Sequence, residues 1–171
     1  MQGRCLCGDV AFEVSADISM VTHCHCSMCR KFHDTAFATH GAVPSDGFRW
    51  LSGEDLVQRF VSSPGGVRPF CRRCGSNVPS DHMPGFVFVP LGNLDGDPGA
   101  RPLAHIMVAS KAPWFDLADA LPRFDAYPPG FDASPLPDPV REPAPAGYVR
   151  GSCLCGRVWS APQPWSIRPP V

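Results

Sequence analysis

The sequence predicts a mainly β fold of short strands stapled by bound metal. The chain has 171 residues, of which 21 are proline and 16 are glycine, and so many helix breakers favour short strands joined by turns. It also has nine cysteines, and its N-terminus lacks the apolar stretch of a secretory signal. Because a reducing compartment keeps thiols reduced, we expect a cytoplasmic protein whose cysteines bind metal rather than form disulfides.

Length and charge narrow the class of protein further. A chain of this length can form one domain with a sizeable core. Its 15 basic and 16 acidic residues give a formal net charge of -1, which is not the electrostatic footprint of a nucleic-acid-binding protein. No apolar run reaches the ~18 residues that a membrane span needs. We therefore expect neither nucleic acid nor a membrane as a partner, and the composition leaves the oligomeric state open.

Apolar residues alternate at Val10, Phe12 and Val14, which is the period-two pattern of a half-buried strand. The sequence predicts further strands at residues 36–43, 48–51, 56–61, 86–91 and 103–108. One or two helical turns are predicted at residues 116–121. Trp114 is interpreted as an anchor in the core, because tryptophan side chains are on average highly buried.

The first cysteine motif places three thiols within six residues, at Cys24, Cys26 and Cys29. Thiols with this C-x-C-x2-C spacing can reach one ion from a single tight turn, and thiolates select zinc or a similarly thiophilic metal. Three protein ligands leave one tetrahedral position open to water or substrate, as in catalytic zinc sites. His23 or His25 would instead close the site and make it structural. The spacing leaves both interpretations open.

A second set of thiols is divided between two distant motifs. Cys5 and Cys7 form a C-x-C pair, and Cys71 and Cys74 form a C-x2-C pair followed by Gly75, which is the pattern of a zinc knuckle. Four thiolates leave no open position, so the two pairs predict a structural zinc that contributes folding free energy. The alternative is that one of the pairs is reduced and unliganded.

Several polar side chains are candidates to surround the three-thiol motif. Arg30 and Lys31 follow it directly, where they would offset the excess negative charge of three thiolates around a divalent ion. Each of them is explained equally well as a solvated surface side chain. Lys111 is a further candidate to face a pocket. His105 is most simply a partly buried strand histidine.

The C-terminal part of the chain is different in character. Residues 128–150 are predicted to be a linker or extended arm, because seven prolines fall within residues 128–145. Residues 151–158 then repeat residues 3–10 at six of eight positions, including the C-x-C pair as Cys153 and Cys155. We interpret residues 1–127 as the zinc-binding domain and 151–171 as a degenerate partial repeat of its N-terminus without a metal site. The alternatives are a longer two-unit protein, and metal bound by Cys153 and Cys155 across a dimer.

Taken together, these motifs resemble the glutathione-dependent formaldehyde-activating enzyme family, which shares its domain with centromere protein V. The resemblance runs from Gly3 to about Phe124 and follows the order of seven thiols. Its motifs are Gly3-x-Cys5-x-Cys7-Gly8-x-Val10, His23-Cys24-x-Cys26-Ser27-x-Cys29-Arg30, Phe70-Cys71-x-x-Cys74-Gly75-Ser76, and His105 through Lys111-Ala112-Pro113-Trp114. The sequence departs from the family at His33-Asp34, where members usually carry small residues, and a larger side chain there would narrow the pocket.

The resemblance implies a β-rich fold of the kind called a β-tent, or Mss4-like fold. It implies two zinc ions per chain, a catalytic one on Cys24, Cys26 and Cys29, and a structural one on Cys5, Cys7, Cys71 and Cys74. The implied activity is that of a carbon-sulfur lyase that forms or cleaves a thiol–aldehyde adduct such as S-hydroxymethylglutathione, so the expected partner is a small-molecule thiol or its aldehyde adduct. Because a site with three thiolates is a poor Lewis acid, we expect the zinc to bind the thiol rather than polarise the aldehyde.

Three alternatives to this function remain at the level of sequence. The first is a non-catalytic zinc module that serves folding or partner binding, with a histidine closing the three-thiol site. The second is a DNA- or microtubule-binding protein, by analogy with centromere protein V, which the near-neutral charge opposes. The third is an enzyme of the same scaffold that acts on another thiol adduct. Because His33 would narrow the pocket, this substrate is as well supported as the glutathione adduct.

Overall fold

A computed structural model gives the fold for residues 1–131, 135, 143–160 and 163–164. Short strands dominate these residues, which confirms the predicted mainly β class. The strands are β1 (Gln2–Arg4), β2 (Ala11–Val14), β3 (Ser19–Cys24), β4 (Ala38–Pro44), β5 (Phe48–Ser52), β6 (Val57–Ser63), β7 (Gly66–Cys71), β8 (Ser80–Met83), β9 (Phe86–Pro90), β10 (Ala104–Ile106), β11 (Tyr148–Val149) and β12 (Gln163–Pro164). The helical elements are α1 (Ser27–His33) and 3-10 turns at Ser45–Gly47, Glu54–Leu56, Leu91–Asn93 and Val108–Ser110.

The strands of the described residues form four small sheets. A three-stranded sheet has the order β1-β2-β5, and a five-stranded sheet has the order β10-β3-β4-β9-β8. The hairpin β6-β7 and the pair β11-β12 complete the set. The pairings are antiparallel except that of β10 with β3, in which His105 lies opposite His23. The long connection that this parallel pairing requires brings residues from the end of the domain next to the three-thiol motif.

The main core lies between the three-stranded and five-stranded sheets. Phe12 and Val14 of β2 pack against Val43 of β4 and against Val87 and Val89 of β9. These five side chains are at most 3 % exposed, and burial of each contributes roughly 1.5–3 kcal/mol relative to exposure. The predicted alternation of β2 therefore corresponds to a real apolar face. This core joins the sheet that contains Cys24 to the sheet whose strand β1 leads into Cys5.

Two sequence expectations about residues 114–121 are wrong. Trp114 is 70 % exposed, because the turn at residues 113–114 places it on the surface rather than in the core. Residues 116–121 are not helical; Asp119 instead accepts a hydrogen bond from the backbone N–H of Leu121 at 3.0 Å. The following residues extend along β10, where the N–H of His105 donates to Pro122 and the N–H of Met107 to Ala126.

The proposed boundaries of the C-terminal region stay predictions. Most of the proline-rich segment, residues 132–134 and 136–142, and the end of the partial repeat, residues 161–162 and 165–171, lie outside the described residues. In the described part, Lys31 of α1 donates from Nζ to the carbonyl oxygen of Ser152 at 2.5 Å, so the repeat contacts the first unit. No helix in the described ranges is long and apolar enough to span a membrane.

Candidate active site

The structure brings Cys5, Cys7, Cys71 and Cys74 together in one cluster. Their four sulfur atoms all lie within 4.8 Å of one another, with 3.4 Å between the sulfurs of Cys5 and Cys7 and 3.9 Å between those of Cys7 and Cys71. A tetrahedral zinc with Zn–S bonds of about 2.3 Å separates its ligand sulfurs by roughly 3.8 Å. The spacing and the all-thiol donor set therefore fit zinc. We call this group the four-thiol cluster.

Two tight turns build the four-thiol cluster. Gly8 and Gly75 follow the two cysteine pairs with φ values of 82° and 77°, a left-handed conformation that glycine adopts without strain. In the first turn the N–H of Val10 donates to the sulfur of Cys5 at 3.4 Å. The turns are joined by the N–H of Leu6, which donates to Ser76 Oγ at 3.0 Å. Backbone donors of this kind orient the sulfurs for metal binding.

Burial and hydrogen bonding divide the four-thiol cluster into an inner and an outer half. Cys5 and Cys71 are buried and pack with Val10 and Val78 in a second small core. Cys74 is half-buried, and its hydrogen bond with the Ser76 hydroxyl, at 3.4 Å, lowers the pKa of the Cys74 thiol to about 6. A thiolate at neutral pH is the form that binds metal.

The second group, which we call the trio, consists of Cys24, Cys26 and Cys29, and its three sulfurs also lie within 4.8 Å of one another. The sequence suggested that the three thiols come from one tight turn, but the structure places them on two different elements. Cys24 ends β3, Cys26 is the N-cap of α1, and Cys29 lies in the first turn of that helix. The Cys26 sulfur accepts a hydrogen bond from the N–H of Cys29 at 3.3 Å, so the helix start itself positions two of the three ligands.

No histidine nitrogen or carboxylate oxygen of the described residues joins the three sulfurs of the trio. His25 instead pairs with His105, at 2.8 Å between Nε2 and Nδ1, and His23 pairs with Thr39, at 2.8 Å between Nδ1 and Oγ1. Side chains alternate between the two faces of an extended segment. His23 and His25 therefore lie on the same face of the sheet as His105, and Cys24 lies on the opposite face. The trio has the donor set of an open zinc site.

The histidine face forms a chain of hydrogen bonds. Nε2 of His105 lies 3.0 Å from Oδ2 of Asp119, so it donates its proton there and leaves Nδ1 as an acceptor for His25. His25 and His105 are both 0 % exposed. Burial lowers the pKa of His25 to about 4, so this ring is neutral at neutral pH. The chain holds the backbone segment that carries two of the three thiols.

The face of the trio carries two side chains that the sequence did not single out. Hydrogen bonds with Cys24 and Cys29 lower the pKa of the Cys26 thiol, and the charge of Arg68, on β7, lowers it further. The Nε of Arg68 is buried and has no hydrogen-bond partner among the described residues. Tyr127 lies beside the trio as well: burial and then the charges of the three thiolates raise the pKa of its phenol.

No pattern in the sequence indicated that Arg68 or Tyr127 would lie near the trio. Arg68 lies in a strand that has no apolar alternation, and Tyr127 lies at the predicted edge of the domain. Tyr127 reaches the trio because residues 122–126 run along β10. Only the pairing of strands distant in sequence brings them to the thiols.

His33, the departure from the family pattern, belongs to a polar network next to the trio. Its Nδ1 accepts a hydrogen bond from Asn77 Nδ2 at 2.7 Å, and its Nε2 lies 3.1 Å from Nε2 of His40. Burial, followed by the charge of Arg68, lowers the pKa of His33 to about 4. The imidazole of His33 is thus fixed by hydrogen bonds and uncharged at neutral pH.

The three cations expected around the trio are engaged with backbone carbonyls. Arg30 donates from Nε to the oxygen of His25 at 3.3 Å, and Lys111 donates from Nζ to that of Ala112 at 3.0 Å. Lys31 contacts Ser152. The charge of Arg68, by contrast, does act on the trio, because it contributes to the lowered pKa of Cys26 after the hydrogen bonds with Cys24 and Cys29.

The fold and the two thiol groups define a class of protein: a small β-rich domain with one closed and one open site suited to a thiophilic metal. A family-wide sequence pattern for the glutathione-dependent formaldehyde-activating enzyme matches residues 1–110. Because that match covers well over half of the chain, the protein belongs to this family, as the sequence motifs predicted.

The individual proteins that this chain resembles have low sequence identity to it. The chain is 21 % identical over 131 residues to a Schizosaccharomyces pombe protein named as an uncharacterized lyase, a match that covers 72 % of this chain and 89 % of the relative. A crystal structure of a Rhodobacter sphaeroides protein is 24 % identical and superimposes with a TM-score of 0.48, covering 57 % of this chain and 90 % of the other.

Proposed function

We propose that this protein is a zinc-dependent carbon-sulfur lyase that forms or cleaves an adduct between a small-molecule thiol and an aldehyde, such as S-hydroxymethylglutathione. The trio would hold the catalytic zinc and the four-thiol cluster the structural one. The observation that carries the proposal is that three sulfurs gather without a fourth protein ligand among the described residues. Family membership and the lyase name of the yeast relative support the reaction class. We place the protein in the cytoplasm, where its thiols stay reduced.

The proposed reaction needs no oxidant or reductant. In the direction of synthesis, the sulfur of the substrate thiol attacks the aldehyde carbon and a C–S bond forms. The carbonyl π electrons move to the oxygen, which takes up the proton that the thiol has lost. Cleavage is the reverse, and the hydroxyl proton returns to sulfur. Cys24, Cys26 and Cys29 would hold a zinc ion, and this ion would favour the substrate thiol in its deprotonated form.

The residues around the trio match the charges that this reaction develops. Arg68 provides a partly buried positive charge, and its buried Nε has no hydrogen-bond partner among the described residues. This charge would offset the added negative charge of a substrate thiolate. The raised pKa of Tyr127 keeps its phenol protonated at neutral pH, so its O–H can donate to the aldehyde oxygen. Arg68 would thus stabilise the thiolate by its charge, and Tyr127 would stabilise the aldehyde oxygen by donating a hydrogen bond.

The identity of the thiol follows less directly from the site. The carboxylates of glutathione need cations, but Arg30, Lys31 and Lys111 are bound to backbone carbonyls. His33 also fills space near the trio and is fixed by Asn77. Glutathione would have to displace Ser152 from Lys31, whereas a smaller thiol would not. A different small thiol adduct is therefore as good a candidate substrate as S-hydroxymethylglutathione.

The experiment that tests the proposal replaces the trio as a unit. Protein carrying Cys24→Ser, Cys26→Ser and Cys29→Ser is mixed with ¹³C-formaldehyde and glutathione, cysteine or a smaller thiol, and exchange between free and thiol-bound formaldehyde is measured by NMR against the uncatalysed rate. We expect enhancement by the wild type with at least one thiol, and none by the triple variant. Cys155→Ser, which alters neither cluster, is the control. A triple variant that turns over at the wild-type rate would refute the proposal.

A further inference from the structure

Strand β7 has two faces with different surroundings. Side chains alternate along a strand, so Cys71 lies on one face while Arg68 and Phe70 share the other. Cys71 is buried in the small core of the four-thiol cluster. Asn77 lies opposite Phe70, and residues directly opposite each other point to the same face. Because Nδ2 of Asn77 donates to His33 at 2.7 Å, the face that carries Arg68 is the one toward His33 of α1.

Arg68 is a half-buried cation without an anionic partner in the described part of the chain. Its Nε is buried and has no hydrogen-bond partner among the described residues. None of the ion pairs between described residues includes Arg68. An unpaired buried donor costs free energy, and a ligand that supplies the missing acceptor recovers it. Arg68 therefore has an N–H group available for an anionic group of a ligand.

The positive charge of Arg68 acts on the trio and on Tyr127. After the hydrogen bonds with Cys24 and Cys29, it contributes to the lowered pKa of the Cys26 thiol. It also acts to lower the pKa of the Tyr127 phenol, although burial and the charges of the three thiolates raise that pKa by more. An anion bound by Arg68 would therefore lie beside both the thiols and the phenol.

Other groups near the trio limit the size of the molecule that carries this anion. Nε2 of His33 lies 3.1 Å from Nε2 of His40, so the ring of His33 is fixed in the space next to the trio. Three other cations of this region already donate to backbone carbonyl oxygens, namely Arg30, Lys31 and Lys111. A thiol with several distant charges would have to displace these contacts, whereas a small thiol with a single carboxylate would not.

We infer that Arg68 binds the carboxylate of the substrate, and that the substrate is a small thiol with one carboxylate, such as a mercapto acid. The inference rests on the proposed function, because it names the thiol that the lyase site takes. A planar guanidinium can offer two parallel N–H donors to a carboxylate. It has five N–H groups in all, so Arg68 can bind the carboxylate and still act on the thiolate by its charge. With the sulfur at the trio and the carboxylate on Arg68, both ends of a short molecule are fixed, which orients the sulfur for attack on the aldehyde.

The inference is tested by titration calorimetry on the full chain, loaded with zinc and kept reduced by a phosphine. The ligands are β-mercaptopropionate and its amide, β-mercaptopropionamide, which has the same length without the charge. Wild type should bind the acid at least about tenfold more tightly than the amide, or 1.4 kcal/mol. Arg68→Met should remove the difference between the two affinities. Arg59→Met, on the neighbouring strand, breaks an exposed ion pair with Asp81 and should keep the wild-type difference.

Two results would overturn the inference. Wild type could bind the acid and the amide equally, a result that needs no variant and holds even if Arg68→Met does not fold. Arg68→Met could instead keep the wild-type preference for the acid, which would place the carboxylate at another group. Both ligands are compared on the same preparation, so incomplete zinc loading does not alter the comparison.

Formaldehyde exchange measured with the same two thiols separates the inference from the proposed function. Turnover of both thiols with equal kcat/KM and equal affinity would support the lyase and remove Arg68 as the carboxylate site. Preferential binding of the acid by wild type, lost in Arg68→Met, would establish the carboxylate site. If neither thiol were then turned over, the proposed lyase function would fail while Arg68 remained the carboxylate site.

Discussion

His25 and His105 are joined by a hydrogen bond of 2.8 Å between Nε2 and Nδ1, although 80 residues separate them in the sequence. The pairing turns the imidazole of His25 toward β10, and Asp119 fixes the far side of His105. In the described part of the chain, the histidine between two thiols of the trio therefore belongs to a hydrogen-bond chain, and neither of its ring nitrogens gathers with the three sulfurs. This distinction decides whether the trio is an open or a closed site.

Replacing His25 distinguishes a role in positioning the trio from a role as a zinc ligand. His25→Ala leaves Nδ1 of buried His105 without its donor, which costs on the order of 1–3 kcal/mol of stability. The zinc content per chain should stay that of the wild type, because the sulfurs of the trio are unchanged. Urea denaturation and metal analysis of the same preparation check both points. Loss of one zinc ion with unchanged stability would instead make His25 a ligand.

The two thiol groups should respond differently to mutation. Cys71 is 0 % exposed and belongs to a core cluster with Cys5, Val10 and Val78, so Cys71→Ser should release a zinc ion and destabilise the fold by several kcal/mol, since metal binding is coupled to folding. Cys26→Ser should abolish turnover with a smaller change in the thermal midpoint. Equal midpoints for the two variants would argue against a structural role for the four-thiol cluster.

Arg68 should affect the chemistry through its charge. Arg68→Met removes a positive charge that, after the hydrogen bonds with Cys24 and Cys29, contributes to the lowered pKa of Cys26. We expect kcat/KM at pH 7 to fall about tenfold, or about 1.4 kcal/mol. Arg68→Lys should retain part of the activity, because it keeps the charge. Arg59→Met, which breaks an exposed ion pair with Asp81, is the control. If Arg68→Lys is as impaired as Arg68→Met, the shape of the side chain matters and not its charge.

The pair His33–His40 predicts a dependence of stability on pH. Burial lowers the pKa of His33 to about 4 and that of His40 to about 3, whereas an unfolded histidine has a pKa of about 6.5. Between these values the unfolded chain binds more protons than the folded one. The free energy of unfolding should therefore fall as the pH is lowered from about 6.5 toward 4.

The test compares wild type with His33→Asn/His40→Asn by urea denaturation at pH 7 and pH 5. The loss of stability between these values should be smaller in the variant by on the order of 2 kcal/mol. Both proteins carry the same cysteines, so any loss of metal in acid cancels in the difference. An identical pH dependence in the two proteins would show that the histidine pair does not contribute.

The strands predicted from the sequence were those with apolar periodicity. β2, β4, β5, β6, β9 and β10 were located within a few residues, because their side chains alternate or are continuously apolar. The two-residue strands β11 and β12 were not predicted, and β1, β3, β7, β8 and α1 were missed as well. Their residues are polar or rich in cysteine, and they take their conformation from partners far away in the chain, as β3 does between β4 and β10.

The sequence by itself determined the chemistry of the sites. Thiol type and spacing predicted which seven cysteines would gather into two clusters, and the order of the motifs gave the family, since both are local properties of the chain. Only the tertiary structure decided that the histidines turn away from the trio, and that Arg68 and Tyr127 stand beside it. Those relationships depend on the parallel pairing of β10 with β3 and on the strand that carries Arg68. Distances between residues so far apart are set by packing, and no local pattern records them.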